Sequence, residues 1–190
     1  MASFWSDSKV EPKRQFRWTF SMDQQLPSWI IKSVDKPVAT VGSTTHNYFG
    51  YTYNYPGNVT WNDINITLVD PVNPDAVNSL ATLLRQSGYN PPTAATQPVT
   101  TISKGSSTTA IGNVYIQQRD ANGSIIEQWK LTNPIATSYD FGGSLSYDTE
   151  NLIELKLTLK YDWAQLQKSG VGGTAGTYNS IPKQNRYWNT

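Results

Sequence analysis

The sequence predicts a mainly β protein: an antiparallel β-barrel or two-sheet sandwich closed by one α-helix at about residues 74–87, with extended N- and C-terminal arms. Three observations carry that expectation. Aromatic residues make up 12% of the chain, with seven Trp and eleven Tyr, and they stand among many Thr, Ile and Val, the residues that suit pleated strands. Several segments alternate apolar and polar residues with a period of two. Only one segment combines an apolar stripe at helical spacing with start and stop signals.

Taken in order, residues 14–22 place Phe16, Trp18, Phe20 and Met22 on one face of a strand, and Arg17, Thr19 and Ser21 on the other. A second extended stretch, Trp29 to Val41, holds Ile30, Ile31, Val34 and Val38, but Pro37 lacks a ladder donor and predicts an edge or a break. Gly42 to Pro56 is both polar and aromatic, too long for a tight turn, and predicts a protruding, adhesive arm. Pro56-Gly57-Asn58 turns the chain into a further strand over Val59–Val69, where Ile64, Ile66 and Leu68 alternate with polar neighbours.

The helix is expected to begin with Asn73 as N-cap and Pro74 at its first position, with Val77, Leu80, Leu83 and Leu84 as its apolar stripe and Gly88 as its stop. Residues 90–110, rich in Pro, Thr and Ser, read as a loop insertion. Val114, Ile116 and Gln118 then lead to Asn122-Gly123, the favoured type I′ pair, and Ile125, Glu127, Trp129 and Leu131 return, so a hairpin is predicted. From Ile153 to Trp163 strict alternation predicts the closing core strand. Domain organisation follows: an N-terminal arm over 1–13, one β domain over 14–163, and a glycine-rich C-terminal extension over 164–190.

The balance of charge excludes some functions. A net charge of +1 gives no overall attraction to nucleic acid or anionic lipid, although residues 1–23 carry +1, residues 164–190 carry +3 and the middle carries −3. Basic arms lying on acidic neighbours in an oligomer account for that asymmetry better than nucleic-acid binding, which calls for clustered Lys and Arg interleaved with stacking aromatics. There is no cysteine and a single histidine, His46, so thiolate and multi-histidine metal sites are excluded. No apolar run reaches the length needed to span a bilayer, and no secretory pattern opens the chain, so a cytoplasmic origin is expected and the triplets at Asn58, Asn65 and Asn122 read as chance rather than glycosylation sites.

Catalytic signals are weak. His46 lies among Thr44, Thr45 and Asn47, with no local carboxylate or nucleophile to orient it. Glu150 and Glu154 would share a face rather than converge across a cleft. Asp120, Asn122 and Gly123 imitate the start of a calcium loop, but Leu131 occupies the position where its twelfth-residue Glu belongs. The helix start, Asn73-Pro74, has no glycine-rich phosphate loop before it. No enzyme, cofactor or metal is expected.

Three segments in order, Trp61–Asp70 before the helix, Trp129–Ile135 after it and Leu152–Asp162 at the end of the core, together resemble the tail tube proteins of T-even-type contractile-tailed bacteriophages, which are related to the tubes of contractile injection systems. The resemblance covers about residues 14–163 and rests on the order and spacing of patterns that are individually degenerate; its Trp-Pro step is loosened here to Trp129 and Pro134. It implies six copies per ring, stacked rings whose inner sheets form one lumen, and a virion structural role as the conduit for DNA ejection inside a contractile sheath. The implied partners are the chain itself, a tail sheath protein, and baseplate and tail-terminator proteins, with DNA passing through the lumen without specific binding. The implied location is the virion tail, assembled in the host cytoplasm.

Under the same resemblance, Tyr48, Phe49, Tyr51, Tyr53 and Tyr55 of the arm contact the next ring, and Phe4, Trp5, Tyr187 and Trp188 of the terminal arms are further candidate contacts. An ordinary surface hairpin is the plain alternative for the arm. A baseplate tube initiator, or the tube of an injection particle, keeps the fold but changes its position. A carbohydrate-binding β-sandwich, stacking exposed Trp and Tyr on sugars, is the reading from another class.

Overall fold

The computed structural model describes residues 11–23, 26–92, 100–148 and 150–169. Ten strands and two α-helices occur among them, in the order β1 (Trp18–Met22), β2 (Ile31–Val34), β3 (Ala39–Tyr48), β4 (Tyr51–Trp61), β5 (Ile64–Val69), α1 (Ala76–Gln86), α2 (Lys104–Ile111), β6 (Val114–Arg119), β7 (Ile125–Thr132), β8 (Ile135–Asp140), β9 (Glu154–Lys160) and β10 (Trp163–Ser169).

The strands form two four-stranded antiparallel sheets and one free hairpin. Sheet A has the order β1-β6-β7-β10 and sheet B the order β2-β5-β9-β8, while among the described residues β3 and β4 pair only with each other. The sheets share one core: Phe20, Met22, Val114, Ile116 and Leu131 from sheet A meet Ile31, Ile64, Ile66, Leu68, Leu155, Leu157 and Leu159 from sheet B. The alternation read from the sequence is what fills it, since Leu155, Leu157 and Leu159 are completely buried and the intervening Lys156 and Lys160 are exposed. A two-sheet sandwich is therefore the architecture.

Helices α1 and α2 contribute Leu80, Leu83, Ala110 and Ile111 to the same core. Both have capped N-termini: the Asp75 carboxylate accepts from Asn78 N at 2.9 Å, and the Ser103 hydroxyl accepts from Ser106 N at 3.1 Å. Lys104 at the start of α2 donates to both Asp162 carboxylate oxygens, each at 2.8 Å, which ties the helix to the β9–β10 turn.

Several expectations are corrected. Helix α1 starts at Ala76 with Asp75 as its cap, not at Pro74 with Asn73, because Asp75 offers its carboxylate to the free N–H groups while Asp70 Oδ1 accepts from Ala76 N at 3.2 Å. Two helices rather than one occur among the described residues, for the end of the expected 90–110 insertion enters α2 (Lys104–Ile111), which buries Ser107, Ala110 and Ile111. The stretch Val59–Val69 is interrupted at Asn62-Asp63, where the chain leaves the hairpin and enters sheet B. Trp18, Phe20 and Met22 turn inward as expected, but Phe16 precedes the strand and is exposed. Residues 164–169, assigned by sequence to the C-terminal extension, pair in sheet A, since Ala164 and Leu166 continue an inward alternation opposite Leu131 and Trp129.

The β6–β7 hairpin is present, with a different turn. Gly123 takes φ +81° while Asn122 does not have positive φ, and the Asp120 carboxylate accepts from Asn122 N at 2.9 Å and Ser124 N at 2.8 Å. The acidic side chain makes a wider, bulged turn than a two-residue type I′ link. The calcium-like spelling of this segment is thus a turn device.

Candidate functional site

The arm expected over Gly42–Pro56 is the middle and tip of the β3–β4 hairpin, whose residues from Ala39 to Thr60 are all exposed. At about 3.4 Å per residue, a ten-residue strand reaches about 30 Å. Its register sorts the side chains: Thr44 pairs with Tyr55, His46 with Tyr53 and Tyr48 with Tyr51, whereas Ser43 pairs with Pro56, Thr45 with Asn54 and Asn47 with Thr52. Residues two apart share a face, so one face of the hairpin carries four tyrosines and the only histidine, and the other carries Ser, Thr, Asn and Pro.

The tip is a two-residue turn with φ +50° at Phe49 and +78° at Gly50, the type I′ geometry. Phe49 is 83% exposed, and its ring meets Tyr48 edge-on at 4.6 Å. A phenylalanine in the left-handed region costs on the order of 1 kcal/mol that Asn or Gly would not.

The root of the hairpin is fixed to both sheets. Asn62 N donates to Val38 O at 2.9 Å, Asp35 Oδ2 accepts from Asn65 N and Nδ2, and Trp61 packs on Tyr161 with ring centroids 6.0 Å apart. Lys36 Nζ donates to Glu127 Oε1 at 2.7 Å and to Gln118 Oε1 at 2.6 Å. Glu127, whose side chain is 10% exposed, also receives Lys13 and the Trp129 indole N–H. Burial alone would push this carboxyl up, but the bonds from Lys13, Lys36 and Trp129 outweigh it and hold its pKa at about 2. One carboxylate thereby joins the N-terminal segment, the hairpin root and sheet A.

Between root and tip lies a bulge at Val41–Ser43, where Gly42 and Gly57 cross closely: a Cβ on Gly57 would come within 3.2 Å of the Gly42 carbonyl. The bulge sets the direction in which the hairpin projects.

Of the predicted contact residues, the structure gathers Tyr48, Tyr51, Tyr53 and Tyr55 on one face with Phe49 at the tip; Phe4, Trp5, Tyr187 and Trp188 lie outside the described residues. His46 belongs to the aromatic face. Glu154 pairs with Lys32, so it holds a surface ion pair. No group of three or more potential metal ligands occurs among the described residues, and no helix among them is long and apolar enough to cross a membrane. Sequence reasoning missed the Lys13–Glu127–Lys36 cluster, whose partners are far apart in the chain.

The described residues form a two-sheet sandwich that projects an aromatic-faced hairpin. The chain shares its fold with components of contractile injection particles. It superposes on a chain of the anti-feeding prophage baseplate with a TM-score of 0.60 at 11% identity, covering 85% of this chain and 99% of that one. A chain of the anti-feeding prophage tube-terminating cap gives 0.60 at 15% identity, covering 89% and 100%. A chain of the sheath–tube complex of an extracellular contractile injection system, in its extended state, gives 0.60 at 15% identity, covering 83% and 92%. No family model and no curated protein matches the sequence.

Proposed function

We propose that the chain is a non-enzymatic structural subunit of a contractile phage tail tube, forming stacked hexameric rings whose lumen conducts DNA within a sheath. The observation that carries this reading is the hairpin: about 30 Å of paired strand, anchored at its root by Glu127, with a tyrosine face that nothing among the described residues covers. An exposed aromatic face on a rigid support suits burial against a second copy, and Tyr-rich contacts bring large area with little loss of conformational freedom. The likeness to components of sheath–tube, baseplate and cap assemblies supports the same role, and it equally favours a place at either end of a tube, as initiator or terminator. Sheath, baseplate and terminator proteins are the partners this role requires, and the virion tail its location.

Negative-stain electron microscopy across a concentration series tests it. Stacked rings or long hollow tubes are expected. Single rings that never stack would place the chain at an end. A persistent monomer whose melting temperature rises with added glycan would replace the tube with the carbohydrate-binding reading.

A further inference from the structure

One open side of the sandwich lies between β1 of sheet A and β2 of sheet B, and it holds a cleft of about 490 Å³. Its apolar floor comes from Ile116, which is 3% exposed, and from Trp18 and Val34, both packed against the core. Lys32 and Lys36 stand exposed at its mouth and are the charged residues among those that line it. Apolar walls, a few polar groups at the entrance and a volume within about 300–1,000 Å³ are the features of a site that takes aromatic rings.

The N-terminal segment is held at that mouth. Gln15 lines the cleft, Lys13 bonds Glu127, and the Arg14 carbonyl accepts from Nε2 of the lining residue Gln118 at 3.1 Å. Phe4 and Trp5 precede Gln15 by 11 and 10 residues, and a flexible tether of that length spans roughly 20 Å. Tethering on this scale gives an effective concentration on the order of millimolar. The other aromatic pair, Tyr187 and Trp188, follows the last described residue, Ser169, by 18 and 19 positions, and leaves from β10 at the far edge of sheet A. Residues 170–190 carry Lys183 and Arg186 and no acid, so the two lysines of the mouth repel them. Residues 1–10 balance Lys9 with Asp7. Among the described residues Lys32 gives one of its three ammonium donors to Glu154, and Lys36 gives two, to Glu127 and Gln118, so each keeps a donor for a further carboxylate.

We propose that Phe4 and Trp5 dock in this cleft of their own chain, with Asp7 at Lys32 and Lys36, and close the open side between β1 and β2 in the free subunit. Each ring brings about 150–250 Å² of apolar surface, enough to cover Trp18, Val34 and Ile116. The segment also shields two strands that each have a single partner among the described residues. Docking within one chain stands apart from the tube reading, because a subunit that builds no tube can still close its cleft.

Cysteine pairing tests it in a chain that has no cysteine of its own. Ser6 adjoins Trp5, and Ser33 is exposed and lines the cleft, so full-length Ser6→Cys/Ser33→Cys protein keeps both aromatic rings and the core. It is oxidised at high dilution, alone and with Phe4→Ala and Trp5→Ala added, and the disulfides are mapped by mass spectrometry. The expected result is a disulfide within one chain, whose yield falls several-fold when the two rings are removed. A yield indifferent to the rings overturns docking, since the tether alone would then bring Ser6 to β2. A disulfide found only between chains overturns the assignment to the same chain. A higher yield from Asn189→Cys/Ser33→Cys protein overturns the occupant in favour of Tyr187 and Trp188, and no disulfide in either protein overturns the proposal outright. Wild-type micrographs judge the tube reading separately, whichever of these results is obtained.

Discussion

Lys36, at the root of the hairpin, donates to Glu127 Oε1 at 2.7 Å, and the other oxygen of that carboxylate holds Lys13 of the N-terminal segment. The root of the hairpin is therefore tied to a charge on sheet A. With its pKa drawn from the ordinary 4.5 to about 2, Glu127 binds a proton less readily folded than unfolded. Its contribution is complete above about pH 4.5 and is lost as pH falls toward 2. Acid titration of unfolding is expected to show Glu127→Gln less stable at neutral pH by on the order of 1–2 kcal/mol, after screening by solvent, with the gap to wild type closing over that window. A gap that stays constant down to pH 2 would place the cost elsewhere.

The tyrosine face separates folding from assembly. Tyr51, Tyr53 and Tyr55 are exposed in the monomer, so replacing all three with Ser is expected to leave the melting temperature of dilute protein nearly unchanged, each substitution contributing within about 0.5 kcal/mol. Sedimentation at high concentration is expected to show assembly abolished. Assembly at wild-type concentration would remove the hairpin from the interface.

Phe49 gives a sharper version of the same separation. Asn is more comfortable than Phe at φ +50°, so Phe49→Asn is expected to stabilise the isolated chain by up to about 1 kcal/mol while weakening assembly. Opposite signs in the two measurements mark a residue kept for contact. A variant that assembles as well as wild type would show that the ring has no contact role.

How much was legible follows from the range of each interaction. Period-two alternation is written locally, so β5, β6 and β9 could be read from Ile64-Ile66-Leu68, Val114-Ile116 and Leu155-Leu157-Leu159. Tyr51, Tyr53 and Tyr55 declare a shared face by their spacing, but their alignment with Tyr48 and His46 depends on a two-residue tip that only the register reveals. Helix α2 was hidden because Lys-Gly-Ser-Ser-Thr-Thr-Ala-Ile has no apolar stripe; only the Ser103 cap and the Gly112 stop marked it. Strand β10 was hidden behind glycines that follow it. The cluster around Glu127 joins positions 13, 36 and 127, a convergence that no local pattern encodes.

The crossing of Gly42 and Gly57 supplies the last test, because it controls aim without controlling the core. The hairpin pairs with neither sheet, so a change at its bulge leaves the packing of Leu157 or Ile66 untouched. Any side chain at Gly57 meets the Gly42 backbone at about 3.2 Å, and backbone cannot swing aside as a side chain would. Gly57→Val is therefore expected to shift the melting temperature by no more than a surface substitution does, and to redirect the tip far more than it disturbs the root. If the hairpin must meet a neighbour at a set angle, the variant loses tube length in micrographs while its tyrosines remain intact. Tubes of normal length would show that the hairpin finds its contact by bending, and that the rigid root serves stability rather than aim.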